Sequence, residues 1–179
     1  GEALREEICA IPNAITPQLL IADLADFAQI RHAADEFLAL QEPLHVLINN
    51  AGIVNTQRVM AFDHEQMFKV NHLGHFLLTN LLLPKLKASA PSRIVIVSSG
   101  AHAFIKGIQF DDLSFEHNFS TFPTYGHSKL ANLLMMQSLV PLLKDSGVTV
   151  NALHPGAVAS SLGQNNKVWY AGFISALLK

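Results

Sequence analysis

The sequence predicts an α/β fold built on a doubly wound parallel sheet. Three observations carry that reading. Short continuous apolar runs, HVLI (45–48), RIVIVSS (93–99) and VTVNAL (148–153), have the composition of strands buried on both faces. Longer stretches with apolar residues at helical spacing lie between them. Strand and helix therefore alternate along the chain, and crossovers of that length join parallel neighbours.

Taken in order, GEALREEI at the start has the pattern of the amphipathic end of a helix. LLIA (19–22) is a short strand candidate. Asp23 then caps a helix reaching about Leu40, with Leu24, Phe27, Ile30, Ala34, Phe37 and Leu38 on one stripe. HVLI ends in the turn-forming Asn49-Asn50-Ala51-Gly52. A long helical pattern covers about 63–88, with Asp63 as its cap. RIVIVSS closes on two serines and passes into a polar, aromatic loop containing Gly107 and Asp111-Asp112. The next helix runs from about Pro123 to Asp145; Pro123 suits a first turn, Pro141 bends or shortens the far end, and Ser146-Gly147 stop it. VTVNAL is closed by His154-Pro155-Gly156. With no linker, repeat or low-complexity tract, residues 1–179 read as one domain. A mid-helix opening without Met and an apolar close mark it as incomplete.

Composition narrows the function. The chain has 179 residues, 50% of them apolar, enough for one domain with a substantial core. A formal net charge of -2 offers no field for nucleic acid. Cys9 is alone, so no internal disulfide forms, and a reducing, cytoplasmic setting fits. There is no signal-peptide pattern, and no run of about 18 uncharged apolar residues to span a membrane. The stretch VWYAGFISALLK (168–179) is a core helix cut short or a peripheral membrane contact. Nine histidines include His72 and His75 at i, i+3, but no Cys, Asp or Glu set with ligand spacing joins them, so no metal site is expected.

The polar residues gather where such sheets bind ligands, beyond the carboxyl ends of the strands. Asp23 follows the first strand candidate; Asn49, Asn50 and Gly52 follow the second; Ser98 and Ser99 the third; Pro155 and Gly156 the last. In TYGHSKLAN (124–132), Tyr125 and Lys129 are four apart and share a helical face. Taken alone, that pair is an ordinary surface pair, Ser99 a strand-end serine and Gly52 a turn glycine.

LHVLINNAG (44–52), VNHLGHFLLT (70–79), SAPSRIVIVSS (89–99), YGHSKLAN (125–132) and GVTVNALHPGAV (147–158) together resemble the short-chain dehydrogenase/reductase family, in its retinol-dehydrogenase-like branch. The likeness covers about 23–160, in family order. It implies a Rossmann-type fold, NADP or NAD as cofactor with NADP the favoured of the two, and interconversion of a hydrophobic small-molecule alcohol and its carbonyl. By this resemblance Tyr125, Lys129, Ser99 and Asn71 are catalytic. The chemistry is coherent: an alkoxide left by hydride transfer needs a proton, and a phenol with pKa about 10 supplies it near neutrality only if its phenolate is stabilised. An ammonium one turn away does that, and it also donates to the nicotinamide ribose. Ser99 polarises the substrate oxygen, and Asn71 holds a water linking the lysine to solvent.

On the cofactor side, the resemblance assigns Asp23 and Leu24 to the adenine and Asn50, Ala51 and Gly52 to the ribose. It assigns Pro155, Gly156, Val158 and Ser160 to the nicotinamide loop, with Ser160 where the family usually has Thr. The family's TGxxxGxG loop is absent, so the chain reads as truncated at both ends, and this piece alone is expected to bind cofactor poorly. The family also pairs its long helices, here about 63–88 and 123–145, into a homodimer. Two other readings stand beside it: a non-catalytic interaction protein that keeps the fold, and a serine hydrolase, which the missing GxSxG elbow disfavours.

Overall fold

The computed structural model describes residues 1–156; the Val158 and Ser160 assignments and the apolar stretch 168–179 lie outside the described residues. In chain order the elements are α1 (Glu2–Cys9), α2 (Phe27–Ala39), β1 (Val46–Asn49), β2 (Met60–Ala61), β3 (His64–Glu65) and α3 (Gln66–Phe68). A π-helical segment (Lys69–Leu73) leads into α4 (Gly74–Ala88). Then come β4 (Ser92–Val97), 3₁₀ turns at Gly100–Phe104 and Phe110–Asp112, α5 (Thr121–Leu142) and β5 (Val148–Leu153).

The α/β prediction holds. β1, β4 and β5 form a parallel sheet in the order β1-β4-β5. Side chains alternate across it. Leu47, Ile94, Ile96, Val148 and Val150 point to one face and pack on Ala34 of α2, Leu82 and Leu86 of α4, and Met135 and Leu139 of α5. Each such side chain contributes about 1.5–3 kcal/mol by leaving water. Among the described residues the helices cover this face only; on the other, Val46 (44%), Ile48 (61%) and Leu153 (44%) remain exposed.

Register decides where the site forms. Asn49 pairs with Ile96, and Val97 with Leu153. The segments that follow, 50–52, 98–99 and 154–156, therefore emerge side by side at one edge of the sheet.

Four expectations need correction. LLIA is not a strand: 19–22 joins the open edge of neither β1 nor β5 and so has no ladder partner, and Ile21 is 76% exposed. Asp23 does not cap α2. Asp26 does, accepting from the N–H groups of Ala28 (2.8 Å) and Gln29 (3.3 Å), while Asp23 Oδ1 accepts from Ala25 N–H in a local turn. Asp63 does not cap the long helix, because its carboxylate is taken by Lys69 and His64; Glu65 caps instead, its Oε2 accepting from Phe68 N–H at 2.8 Å. The helix expected from Pro123 to Asp145 starts at Thr121 and ends at Leu142, directly after Pro141. Pro123 sits in its first turn, where the missing N–H costs nothing. Gly147 turns the chain into β5 at φ +73°, and a Cβ there would stand 2.9 Å from that of Ala90.

Candidate active site

Tyr125 and Lys129 do share one face of α5, and the Lys129 Nζ lies 5.7 Å from the centroid of the Tyr125 ring. The ammonium is buried and donates to the Val97 carbonyl at 3.0 Å, the last residue of β4. Burial disfavours its charged form and pulls its pKa down to about 8. One of its three N–H bonds is thus spent on the strand end, which leaves two for other acceptors.

Ser98 and Ser99 divide the work at the end of β4. Ser98 is buried, and its hydroxyl donates to the Lys129 carbonyl at 2.8 Å, tying strand to helix. Ser99 is half-buried; its Oγ accepts from Ala101 N–H at 3.2 Å and so begins the 3₁₀ turn, with its own O–H left to donate. That turn lies flush on α5: a Cβ on Gly126 would stand 2.6 Å from the Ala101 carbonyl oxygen. Gly126 thereby lets the Ser99 turn approach the turn of helix that carries Tyr125.

Asn71 lies in the π segment and is fully buried. Its Oδ1 accepts from Ile53 N–H (2.8 Å), and its Nδ2 donates to the Ile53 carbonyl (3.0 Å) and to Ser128 Oγ (3.1 Å). Ser128 Oγ in turn donates to the Tyr125 carbonyl at 2.7 Å. The Asn71 carbonyl accepts from His75 Nδ1 (3.1 Å) and Asn132 Nδ2 (2.9 Å), and Asn132 Oδ1 accepts from His72 Nδ1 (3.0 Å). Since their partners are acceptors, His72 and His75 carry protons on Nδ1. The role expected of Asn71, holding a water, meets a crowded residue. Both side-chain donors and both main-chain lone pairs are engaged, so the second lone pair of Oδ1 is what remains. Here Asn71 acts first as a tie between the loop after β1 and α5.

Two histidines are held neutral. Burial pushes His75 down to about 4, and the nearby Lys129 charge adds to it. Burial likewise pushes His127 down to about 4, and its Nε2 accepts from Gln109 N–H at 2.9 Å. His127 packs edge-on against Phe115 and anchors the loop before α5. Burial also lowers the pKa of His72. Among the described residues, no group of three or more His, Cys, Asp or Glu is arranged to hold a metal ion.

The loop after β1 meets the site at Gly52. A Cβ there would lie 3.2 Å from Asn71 Oδ1 and 3.5 Å from Lys129 Nζ. Gly52 was expected to admit a cofactor; it already admits the carboxamide and ammonium. Asn50 and Ala51 are exposed beside it, and Pro155 and Gly156 are exposed after β5. Asp23 is exposed, and the Leu24 carbonyl presses on the start of α4, 2.6 Å from where a Cβ on Gly74 would be.

Sequence reasoning missed Ser128, Asn132, His72 and His75 as tethers. The signal was present: Thr124, Tyr125, Ser128, Lys129 and Asn132 fall at helical spacing and form a polar stripe along one face of the helix.

The sequence profile of short chain dehydrogenases matches residues 2–171. Retinol dehydrogenase 12 of Mus musculus is 46% identical over 169 residues, spanning 93% of this chain and 52% of that protein. The chain spans about half the length of the curated relatives it matches. A crystal structure of an uncharacterized protein from Mycobacterium paratuberculosis superposes with a TM-score of 0.72 at 36% identity, covering 89% of this chain and 58% of that one. A blue fluorescent protein from a metagenomic library, crystallised with NADPH, gives 0.65 at 25% identity, covering 87% and 58%.

Proposed function

The chain belongs to the short-chain dehydrogenase family, its likeness lying with the retinol dehydrogenases, and on that premise we propose that the protein interconverts an alcohol and a carbonyl by hydride transfer. Tyr125 is the general acid/base in this reading, and the bound nicotinamide supplies the hydride. The observation that carries the reading is the Lys129 ammonium, buried at the end of β4, 5.7 Å from the Tyr125 ring and beside Gly52.

The residues present suit a nicotinamide nucleotide. Gly52 has no side chain where the ribose would approach, two N–H donors of Lys129 remain for its hydroxyls, and Asn50, Ala51, Pro155 and Gly156 are exposed around the same edge. Asp23 and Leu24 would meet the adenine. NADP is the favoured form: the structurally similar blue fluorescent protein was crystallised with NADPH.

Each residue then has one task. Ser99 O–H donates to the substrate oxygen and fixes its position. Tyr125 gives that oxygen its proton during reduction and takes it back during oxidation. Lys129 keeps the phenol acidic by placing a positive charge next to the phenolate. Asn71 and Ser128 hold the loop and α5 at fixed separation. The substrate is a small apolar alcohol or carbonyl compound, as the likeness to retinol dehydrogenases suggests. Exposed apolar residues on α4 and α5, Phe76, Leu134 and Val140, are suited to pairing with a second copy. No helix among the described residues is long and apolar enough to cross a membrane; we place the protein in the cytoplasm, with peripheral membrane contact as the alternative.

The test is Tyr125→Phe in the full-length protein, with NADPH oxidation followed against an aldehyde series. Turnover drops by at least about a hundredfold, with circular dichroism unchanged. Undiminished turnover would remove Tyr125 from the mechanism.

A further inference from the structure

The helical run that carries Asn71 changes pitch at Lys69. The π segment Lys69–Leu73 sits between α3 and α4. Such segments are rare and recur at functional sites, and they persist where surrounding contacts hold them. At its centre the contacts are those of Asn71 with Ile53 and Ser128. At its start the contacts are those of Lys69.

Lys69 is only 3% exposed. Its Nζ donates to Asp63 Oδ1 at 2.9 Å and lies 4.5 Å from the centroid of the Phe27 ring and 4.6 Å from that of Phe62. A buried ammonium needs compensation, and a carboxylate with two ring faces supplies it. The parts come from three places. Phe27 is the first residue of α2, Phe62 and Asp63 form the turn between β2 and β3, and Lys69 opens the π segment. Phe62 is 75% exposed and has φ +57°. Burial does not explain its place, and its backbone conformation is an uncommon one for a bulky residue. The ammonium accounts for both turn residues lying where they do. Asp63 answers in kind: its hydrogen bond from Lys69, with the His64 ring nitrogen 2.7 Å away, holds its carboxyl well below the usual carboxylate range.

We propose that Lys69 is a positioning residue for Asn71. Its caged ammonium pins the start of the π segment and keeps the Asn71 carboxamide in the register that grips Ile53 beside Gly52 and Lys129. Relaxation to α-helical pitch would turn one side of the run against the other by about 100°. That rotation would take Oδ1 away from Ile53 N–H. The catalytic consequence rests on the oxidoreductase reading; the positioning does not.

The experiment measures hydrogen exchange at the Ile53 amide together with steady-state kinetics in the full-length protein. Lys69→Met keeps a long side chain between the rings without the charge; Lys69→Arg keeps the charge; Asn71→Ala sets the exchange expected when the carboxamide is gone. Lys69→Met is expected to raise Ile53 exchange about tenfold, towards the Asn71→Ala value. It is expected to lower kcat about tenfold with the carbonyl KM within about twofold. Lys69→Arg restores both. Native-like Ile53 protection in Lys69→Met, or failure of Arg to rescue, overturns the proposal. Should Lys69→Met lose its melting transition, Asp63→Asn and Phe62→Leu act on exposed partners of the same cage. Each then raises Ile53 exchange by a smaller factor, and no rise in either overturns the proposal. Faster Ile53 exchange in a protein that reduces no aldehyde upholds the positioning and removes the oxidoreductase reading instead.

Discussion

Lys129 Nζ donates to the main-chain oxygen of Val97 at 3.0 Å, fastening the ammonium to the end of the central strand. The bond fixes its position while burial lowers its pKa to about 8. Below that pH the lysine is charged and, in the oxidoreductase reading, supports the phenolate; above it that support is lost. Carbonyl reduction should therefore fall as pH rises through about 8. In Lys129→Arg, which stays charged, the fall should move to higher pH even if the rate is lower. A pH profile of kcat/KM checks this. Stability moves the other way. The unfolded lysine binds its proton up to 10.5, so this residue's contribution grows as pH rises from about 8 to 10.5.

Gly52→Ala tests the contact at the loop after β1. The added methyl would stand 3.2 Å from Asn71 Oδ1, close enough that the carboxamide must shift by a few tenths of an ångström, and 3.5 Å from Lys129 Nζ, an ordinary contact. The expected result is a loss of roughly tenfold in kcat/KM with little change in Tm. Thermal melts and cofactor titrations separate the two effects.

The adjacent serines should fail in different ways. Ser98→Ala removes a buried bond to the Lys129 carbonyl and should cost about 1–3 kcal/mol of stability. Ser99→Ala, at a half-buried position, should cost no more than the roughly 1 kcal/mol of a lost turn cap and lower kcat by roughly a hundredfold. Equal loss of stability in both would show that the division drawn between them is wrong.

Acid should unfold the protein through its buried histidines. His75 and His127 take up protons near pH 4 when folded, against 6.5 for an unperturbed imidazole. Between those values the unfolded chain holds more protons, so stability falls as pH drops from about 6.5 to 4. The ceiling is on the order of 3 kcal/mol per histidine. Glu65, whose pKa burial raises, works in the opposite sense because the folded state retains its proton longer. Urea melts between pH 7 and 4 should show the decline, and His75→Gln should flatten it.

The sequence disclosed the sheet better than the helix starts. β5 falls on the predicted residues, because a continuous apolar run between Gly147 and His154 permits little else. Helix starts were misplaced because Asp23, Asp26, Asp63 and Glu65 are all capable caps, and the choice depends on what else each carboxylate meets. Asp63 meets Lys69, which no local pattern reveals. LLIA was misread because strand propensity says nothing about whether a neighbour is present. Within the site, the motif residues were legible by resemblance. Val97, Ile53 and the His72–Asn132 bond were not, since a main-chain acceptor leaves no mark on residue identity and a long-range pair leaves none on local spacing.

The Asn71 network also dictates when the site comes into being. Its closing bonds, Asn71 to Ser128, His72 to Asn132 and Asn132 to Asn71, join residues 57, 60 and 61 positions apart. During synthesis, at roughly 5–20 residues per second, the middle helix waits several seconds for its partners to leave the ribosome. Until α5 docks, Asn71 and His72 lack these bonds and have reason to stay in water. The centre therefore closes only once α5 has been made and docks, and a chain halted before α5 lacks the bonds that assemble it.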